Sequence, residues 1–312
     1  MSITAVIRAT GGYLPKKIVT NADLEKLVDT SDEWIVKRTG IRERRLAEAH
    51  ETTGTMAIEA GKQALANAKL EGKDIDTVIV ATTTPDKKFP AVAVNVQQAL
   101  GIPPGPAFDV QAVCTGFVYA LGIANSFIQT GVSKRVLVIG AEKMSSIVDW
   151  NDRATCVLFA DGAGAAILEV NTKNDGRGVI STHLYADGRF QDLLFADPLI
   201  VMEGREVFKN AVQFMADVVE EVLAKNNLKA EDISLLVPHQ ANIRIIEATA
   251  KKLNLSMDKV VTTVERHGNT SAASIPLALH EAMEAGRIKA GDLVLLEGMG
   301  GGLTWGALLV RF

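Results

Sequence analysis

The order of helical and extended patterns repeats along this chain, and that repeat constrains the fold more than any other feature. An amphipathic helix, a Leu-x-x-x-Asp-Ile turn and an apolar strand pattern occur at Leu70–Val80 and again at Leu228–Val237. Gly164–Leu168 and Gly306–Val310 then close the two stretches in similar ways. We therefore expect two similar halves that pack as a pseudo-twofold pair, with a site where they meet. The alternative is a chance succession of two α/β stretches.

Short β-type runs alternate with helical patterns throughout, which is typical of an α/β protein. We expect one half over residues 1–171 and the other over residues 172–312. The helical period is clearest from Glu206 to Lys225, and a second helix is expected after Asn242. The predicted buried strands are Thr77–Thr82, Phe108–Gln111, Val136–Gly140, Cys156–Ala160, Ala165–Val170, Ser234–Pro238, Leu293–Glu297 and Trp305–Arg311.

Composition limits the class of protein and its surroundings. With 47% hydrophobic and 22% charged residues, the chain has an ordinary globular composition. Its net charge of −4 gives no general attraction to nucleic acid or to an anionic membrane surface. The longest apolar runs are broken by polar residues or glycines, so none is expected to span a bilayer. Two cysteines and the lack of a secretory signal pattern favour a reducing, cytoplasmic location.

Cys114 lies where a strand pattern ending near Val113 gives way to a helical pattern. Unpaired backbone N–H groups and the positive end of a helix dipole converge at such a junction, and both lower a thiol pKa. A lone cysteine in apolar sequence is more often buried and inert, so a nucleophilic role requires partner residues. Cys156 has no basic motif nearby, and we expect it to be buried without a catalytic role.

Three motifs in the second half supply candidate partners for Cys114. His239 follows a predicted strand in VPHQANIRII, at the kind of strand end where α/β sheets bind ligands. Asn269 lies in a polar turn of RHGNTSAAS, before an Ala-rich helix. The Gly300–Gly302 run lets the backbone approach a ligand closely and present N–H groups. A core histidine or helix cap, and a turn-forming asparagine, are the structural alternatives.

These groups share a chemical logic. A thiolate can accept an acyl group, and two N–H donors can hold the oxyanion of the tetrahedral intermediate. A neutral histidine and an asparagine can both donate hydrogen bonds to one developing negative oxygen. That pairing suits decarboxylation of a malonyl thioester, because loss of CO2 leaves an enolate that two donors stabilise without a strong base.

The segments around Cys114, His239 and Asn269 resemble the β-ketoacyl-acyl-carrier-protein synthase III family. Further matching motifs run from SDEWIVKRTGIRERR through DGAGAA to GGGLTWG, over nearly the whole chain. The resemblance implies an α/β thiolase-like fold with five αβαβα layers from two duplicated halves, and a homodimer. It implies that acyl-CoA acylates Cys114, and that His239 and Asn269 bind the malonyl thioester carbonyl. The backbone amides of Cys114 and Gly301 would form the oxyanion hole.

The resemblance also implies a coenzyme A site at Trp34 and Arg38 of SDEWIVKRTG, with Arg153 of NDRATC on the other side. An aromatic face and two guanidinium groups suit a purine and its phosphates. The alternative for Trp34 is a packing residue of a helix.

Three further residues match family positions that contact the other partners. Arg244 and Lys209 resemble the basic patch that docks the acidic acyl carrier protein, although surface cations are usually only solvated. Phe89 matches the residue that reaches across the dimer to line the partner's acyl pocket, and a local packing anchor is the alternative. Met299 replaces a frequent Phe, and Gln111 stands where a smaller residue is common, so the family pattern does not fix the acyl-chain preference.

The expected reaction is a decarboxylative Claisen condensation that initiates type II fatty-acid synthesis. Acyl-CoA, with acetyl-CoA as the expected starter, and malonyl-acyl carrier protein would give 3-oxoacyl-acyl carrier protein, with no metal or permanent cofactor. A papain-type Cys/His/Asn hydrolase uses the same residue types and is the first alternative. A non-catalytic acyl-binding member of the fold, or a relative that makes a secondary metabolite, are the others.

Overall fold

The computed structural model describes residues 3–173 and 175–312, in which strands and helices alternate along the chain. Within these residues, no helix combines the length and apolarity needed to cross a membrane. The strands are β1 (Ala5–Tyr13), β2 (Ile18–Thr20), β3 (Glu43–Arg45), β4 (Thr77–Ala81), β5 (Ala107–Val110), β6 (Arg135–Lys143), β7 (Asp161–Val170), β8 (Gly178–Ala186), β9 (Leu194–Ala196), β10 (Ile200–Met202), β11 (Leu235–Pro238), β12 (Leu293–Gly300) and β13 (Thr304–Arg311). The α-helices are α1 (Asn21–Leu24), α2 (Asp32–Thr39), α3 (Thr53–Ala68), α4 (Val92–Ala99), α5 (Gly116–Gln129), α6 (Gly204–Lys225), α7 (Ile243–Lys252), α8 (Val264–His267) and α9 (Ser274–Glu284).

Two large sheets share one topology. The first has the order β1-β7-β6-β4-β5, in which β4 is parallel to both neighbours and β7 is antiparallel to β6 and β1. The second has the order β11-β12-β13-β8, with β11 parallel to β12 and β13 antiparallel to both neighbours. A parallel bridge from Leu236 to Val260 lies where β5 lies in the first sheet. The matching order and directions confirm the expected duplication.

Helices α5 and α9 lie between the two sheets, and the other long helices cover the outer faces. Residues of α5 and α9 share one buried apolar cluster with β4, β6, β11 and β12. Helices α3 and α4 pack on the outer face of the first sheet, and α6 and α7 on that of the second. Because α5 is apolar around most of its surface, it can be buried from both sides. The result is the expected five-layer αβαβα architecture.

The largest difference from the sequence-based prediction is at Cys156–Ala160, which we predicted to be a strand. This run forms turns, with an isolated bridge from Phe159 to Asn269. Asp152 holds the turn, because its carbonyl accepts from the N–H of Cys156 and its carboxylate from the hydroxyl of Thr155. The prediction of a strand was wrong, although Cys156 is buried as expected. Strands β1 and β8 and the short strands β2, β3, β9 and β10 were not predicted. The other predicted strands agree with the observed ones apart from their ends.

At Gly140 the first sheet approaches the turn before α9 closely, and a substitution there tests this contact. A Cβ atom at this position of β6 would lie 2.1 Å from the backbone oxygen of Ala272. We expect Gly140→Ala to lower the free energy of unfolding by about 2 kcal/mol or more, because backbone must move to admit the methyl group. Urea unfolding measures this difference. Gly188→Ala is the control, because its Cβ would meet no atom within 4 Å, and an equal effect of both changes would contradict the prediction.

Candidate active site

Cys114 lies in a short 3-10 turn, Val113–Thr115, that joins β5 to α5. Val113 has a φ of 50°, which β-branched residues strongly disfavour, so surrounding packing must hold the turn. Part of that packing comes from Gly300 at the end of β12, where a Cβ atom would lie 2.7 Å from the backbone nitrogen of Cys114. The nucleophile candidate therefore sits on a strained turn that close backbone packing from the other half of the chain maintains.

The second half contains an equivalent turn. The 3-10 turn Ser271–Ala273 precedes α9, and its first residue has the same φ of 50° as Val113. The two turns contact each other between the sheets. Asn269 lies two residues before the second turn, so the duplicated fold brings it close to Cys114.

One cavity of about 110 Å³ is lined by Cys114, His239 and Asn269 together. Its remaining wall is mainly apolar and includes Phe159 and Met299. All three polar residues are at most 6% exposed. The structure therefore brings together the three residues that the sequence separated by 125 and 30 positions.

His239 follows β11 directly and is held at both its backbone and its ring. Its N–H donates to the carbonyl oxygen of Glu297 at 2.8 Å, and its Nδ1 lies 2.6 Å from Oγ of Ser274. Burial lowers the pKa of His239 from 6.5 to about 4. The imidazole is therefore neutral near pH 7 and can act as a hydrogen-bond donor through one nitrogen.

Asn269 is fixed by hydrogen bonds that leave its amide NH2 available. Its N–H donates to the carbonyl of Leu158, and its own carbonyl accepts from the N–H of Ala160, both at 2.9 Å. Its Oδ1 accepts from the N–H of Ser271 at 2.9 Å. Because the carbonyl end of the side-chain amide is already engaged, the NH2 group is the end that can donate into the cavity.

The thiol of Cys114 differs from the sequence-based expectation. Its pKa is raised to about 12, mainly by burial and also by the nearby Glu142, whereas a hydrogen bond with Ser271 acts in the opposite direction. The expected lowering of the pKa was therefore wrong, because loss of solvation outweighs the helix N-terminus. The resting side chain is a thiol.

Glu142 is a buried group near the site that the sequence analysis missed. It ends up inside because β6 is buried along most of its length, and it is 0% exposed. Its carboxylate accepts from the hydroxyl of Thr84 at 2.5 Å, from the N–H of Thr83 and from the hydroxyl of Ser271 at 3.1 Å. These donors tie the turn before α9 to the first sheet.

Trp34 and Arg38 line a second cavity next to the first, and Arg153 lies close to the ring of Trp34. The guanidinium carbons of Arg38 and Arg153 lie 5.3 Å and 5.1 Å from the centroid of the Trp34 ring. This cavity has a volume of about 490 Å³, and Phe208 borders both cavities. Arg205 at the start of α6 also lines it and was missed by the sequence analysis, because an exposed Arg in a helix carries no distinguishing pattern.

A third cavity of about 250 Å³ is also lined by Cys114, but His239 is not part of its wall. Gln111, Val113 and Gly301 line it, together with apolar residues of the β9-β10 hairpin. Gly301 can carry no Cβ there, since the added atom would lie 2.7 Å from the carbonyl oxygen of Leu194.

Comparison with known proteins decides the family. The family model for 3-oxoacyl-[acyl-carrier-protein (ACP)] synthase III matches residues 108–188, and the model for its C-terminal part matches residues 223–312. A β-ketoacyl-[acyl-carrier-protein] synthase III from Rhodospirillum centenum is 55% identical, with all of both chains covered. The crystal structure of 3-oxoacyl-[acyl-carrier-protein] synthase III from Aquifex aeolicus VF5 is 54% identical with a TM-score of 0.96, over 99% of this chain and 100% of that one. The chain belongs to the 3-oxoacyl-[acyl-carrier-protein] synthase III family.

More distant relatives share the fold of this synthase III chain. The priming β-ketosynthase from the R1128 polyketide biosynthetic pathway is 34% identical with a TM-score of 0.93, and covers 99% of this chain and 96% of that one. The comparisons thus confirm the family resemblance and the thiolase-like architecture.

The remaining residues that the synthase III resemblance singled out lie at the surface. Arg244 extends over the ring of Phe208, with its guanidinium carbon 5.2 Å from the centroid, and Lys209 is exposed on the next position of α6. Phe89 is 85% exposed. Their contacts with a carrier protein or a second subunit stay predictions.

The neutral state of His239 predicts a specific loss of stability in acid. Its folded pKa of about 4 lies below the ordinary value of 6.5, so between these pH values a proton binds the unfolded chain preferentially. Protonation of this residue in the unfolded chain should therefore lower the free energy of unfolding by about 2 kcal/mol as the pH falls from about 7 to about 5. Urea unfolding of His239→Gln should show a shallower acid dependence than the parent by this amount. Equal acid dependence of the parent and His239→Gln would contradict the prediction.

Proposed function

We propose that this chain catalyses the condensation of an acyl-CoA with malonyl-acyl carrier protein to give 3-oxoacyl-acyl carrier protein, the step that initiates fatty-acid synthesis. The relatives at 55% identity carry the name β-ketoacyl-[acyl-carrier-protein] synthase III, which supports this acyltransferase activity. The observation that carries the proposal is the joint placement of one thiol and two neutral hydrogen-bond donors around a single apolar cavity.

The first half-reaction transfers the acyl group to Cys114. Its sulfur attacks the thioester carbon, CoA leaves as the thiol with the proton that Cys114 gives up, and an acyl-Cys114 thioester remains. The backbone N–H groups of Cys114 and Gly301 are the proposed donors to the oxyanion. Because burial raises the pKa of the thiol to about 12, proton loss must accompany the attack.

The second half-reaction uses His239 and Asn269. As the bond to the carboxylate of malonyl breaks, its electron pair forms an enolate, and CO2 departs. The two side chains donate hydrogen bonds to the enolate oxygen, which spreads the new negative charge without a basic group. The enolate carbon then attacks the acyl-Cys114 thioester, the carbon–sulfur bond breaks, and the released thiolate takes up a proton from solvent to restore the thiol.

The same contacts argue against a papain-type hydrolase. In such an enzyme the asparagine orients the histidine, and the histidine takes the proton of the cysteine. Here Nδ1 of His239 is paired with Ser274, and Oδ1 of Asn269 is paired with the N–H of Ser271. The low pKa of His239 also makes it a poor base near neutral pH.

Residues at the surface are the proposed contacts for the two substrates. Trp34, Arg38 and Arg153 are the proposed coenzyme A contacts, since an aromatic ring with two guanidinium groups close to it suits a nucleotide. Arg244 and Lys209 are the proposed contacts for the acidic carrier protein. We further propose a cytoplasmic homodimer in which Phe89 lines the acyl pocket of the partner subunit. The proposed reaction uses no metal and no permanent cofactor.

Acylation can be tested by intact mass. After incubation with acetyl-CoA, we expect one acetyl group on the parent chain and none on Cys114→Ser, because only the thiol at position 114 lines the cavity. Cys156→Ser should retain the adduct, since Cys156 is the matched buried cysteine outside the cavity.

Among acetyl-, isobutyryl- and longer acyl-CoA, acetyl transfer should be fastest. A preference for a long acyl chain would overturn the acetyl assignment, and an adduct on Cys114→Ser would overturn the nucleophile.

Decarboxylation tests the role of Asn269 separately. Asn269→Ala should slow CO2 release from malonyl-acyl carrier protein by about 10² to 10³, because one of two donors to the enolate is lost. Acetylation of Cys114 should persist in the same variant. Asn125→Ala removes a buried asparagine that borders a groove away from the cavity, and serves as the control. Unchanged CO2 release from Asn269→Ala would show that the assigned role is wrong.

A further inference from the structure

Ser274, the first residue of α9, contacts the ring of His239 from outside the cavity. Its Oγ lies 2.6 Å from Nδ1, and both residues are buried, with Ser274 only 1% exposed. The same Oγ accepts a hydrogen bond from the backbone N–H of Gln240 at 3.2 Å. The serine therefore links the strand end that carries His239 to the turn that carries Asn269.

The number of hydrogens and lone pairs on Oγ determines whether Ser274 or His239 is the donor in this hydrogen bond. A serine hydroxyl has one hydrogen to donate and two lone pairs, and the backbone N–H of Gln240 occupies one lone pair. Among the residues that the structure describes, Nδ1 of His239 is the one acceptor within hydrogen-bond distance of Oγ. The hydroxyl hydrogen therefore goes to Nδ1, which must carry a lone pair and no proton.

The backbone around this pair is held firmly. The side chain of Gln240 is fully buried, and its Nε2 donates to the carbonyl oxygens of Pro238 and Val261 at 2.8 and 3.0 Å. Its Oε1 accepts from the N–H of Thr263 at 2.7 Å. The N–H of Gln240 is thereby kept aimed at Ser274, so the acceptor role of the serine is built into the fold.

The other ring nitrogen faces the site. Within the described part of the chain, Nε2 of His239 has no hydrogen-bond partner. The atom is nevertheless not fully buried, and His239 lines the cavity, so Nε2 is accessible from the cavity. A neutral imidazole with an unprotonated Nδ1 carries its hydrogen on Nε2.

We propose that Ser274 is a positioning residue that fixes His239 as the Nε2–H tautomer, so that the ring presents a donor to the enolate oxygen of the malonyl substrate. In the other tautomer Nε2 would present a lone pair to that oxygen and repel it. This assignment of Ser274 rests on the proposed function of the cavity, but the tautomer itself can be measured without any substrate.

The direct test is 15N NMR of the full chain with labelled histidine, and His239→Gln identifies the signals that belong to His239. We expect the hydrogen of the neutral ring on Nε2 in the parent chain, and a change of the Nδ1 signal in Ser274→Ala. A parent ring protonated at Nδ1 would overturn the proposal. The tautomer of the parent chain is read without any activity, and only the contribution of Ser274 to it needs the Ser274→Ala variant.

Kinetics of the two half-reactions provide the second test. Ser274→Ala should lower kcat for CO2 release from malonyl-acyl carrier protein by about 10- to 100-fold with little change in KM, because one hydrogen bond that selects the tautomer is lost. Acetylation of Cys114 should stay within about twofold of the parent rate, and Ser274→Thr, which keeps the hydroxyl, should recover most of kcat. Equal loss in both half-reactions would assign Ser274 a merely structural role and overturn the proposal.

Ser133→Ala is the matched control. Ser133 is also buried, and its hydroxyl pairs with that of Thr77 at 2.7 Å, away from the cavity. It should leave both half-reactions unchanged. If the parent chain itself released no CO2, the proposed function would fail, whereas the NMR result would still decide the tautomer.

Discussion

Close packing between the two 3-10 turns that precede α5 and α9 is the constraint on which the site depends. Each turn begins with a residue at a φ of 50°, and each is pressed against backbone from a neighbouring strand. Gly140 and Gly300 make this approach possible, because a Cβ atom at either would meet backbone of the turns within 2.7 Å. The strain stored in the turns is therefore compensated by burial between the sheets.

The site that results is nearly free of charge. Burial keeps Cys114 as a thiol and His239 as a neutral imidazole, because both pKa values shift toward the neutral form. Burial also raises the pKa of the nearby Glu142, while hydroxyl and N–H donors surround its carboxyl group and act in the opposite direction. In the proposed reaction, neutral donors in an apolar cavity would interact strongly with the developing negative oxygen, and the apolar wall would limit the water that could hydrolyse an acyl-Cys114.

Much of the fold could be predicted from local patterns, and the failures have physical causes. The apolar period of α6 and the continuous apolar runs of β4, β6 and β12 identified those elements. Cys156–Ala160 has the same composition as a buried strand but forms turns, because Asp152 and tertiary contacts decide its backbone. Strand β1 contains Gly11, whose lack of a side chain lowers strand propensity but admits the backbone of α3.

The sequence by itself determined the duplicated α/β pattern, the family motifs and the identity of the residues around the cavity. Only the tertiary structure decided their chemical state, since solvation depends on what surrounds a group in three dimensions. A cysteine at a helix start was expected to have a low pKa, yet burial reverses the shift. The pairing of His239 with Ser274, 35 residues apart, likewise exists only because the end of β11 and the start of α9 meet in the folded chain.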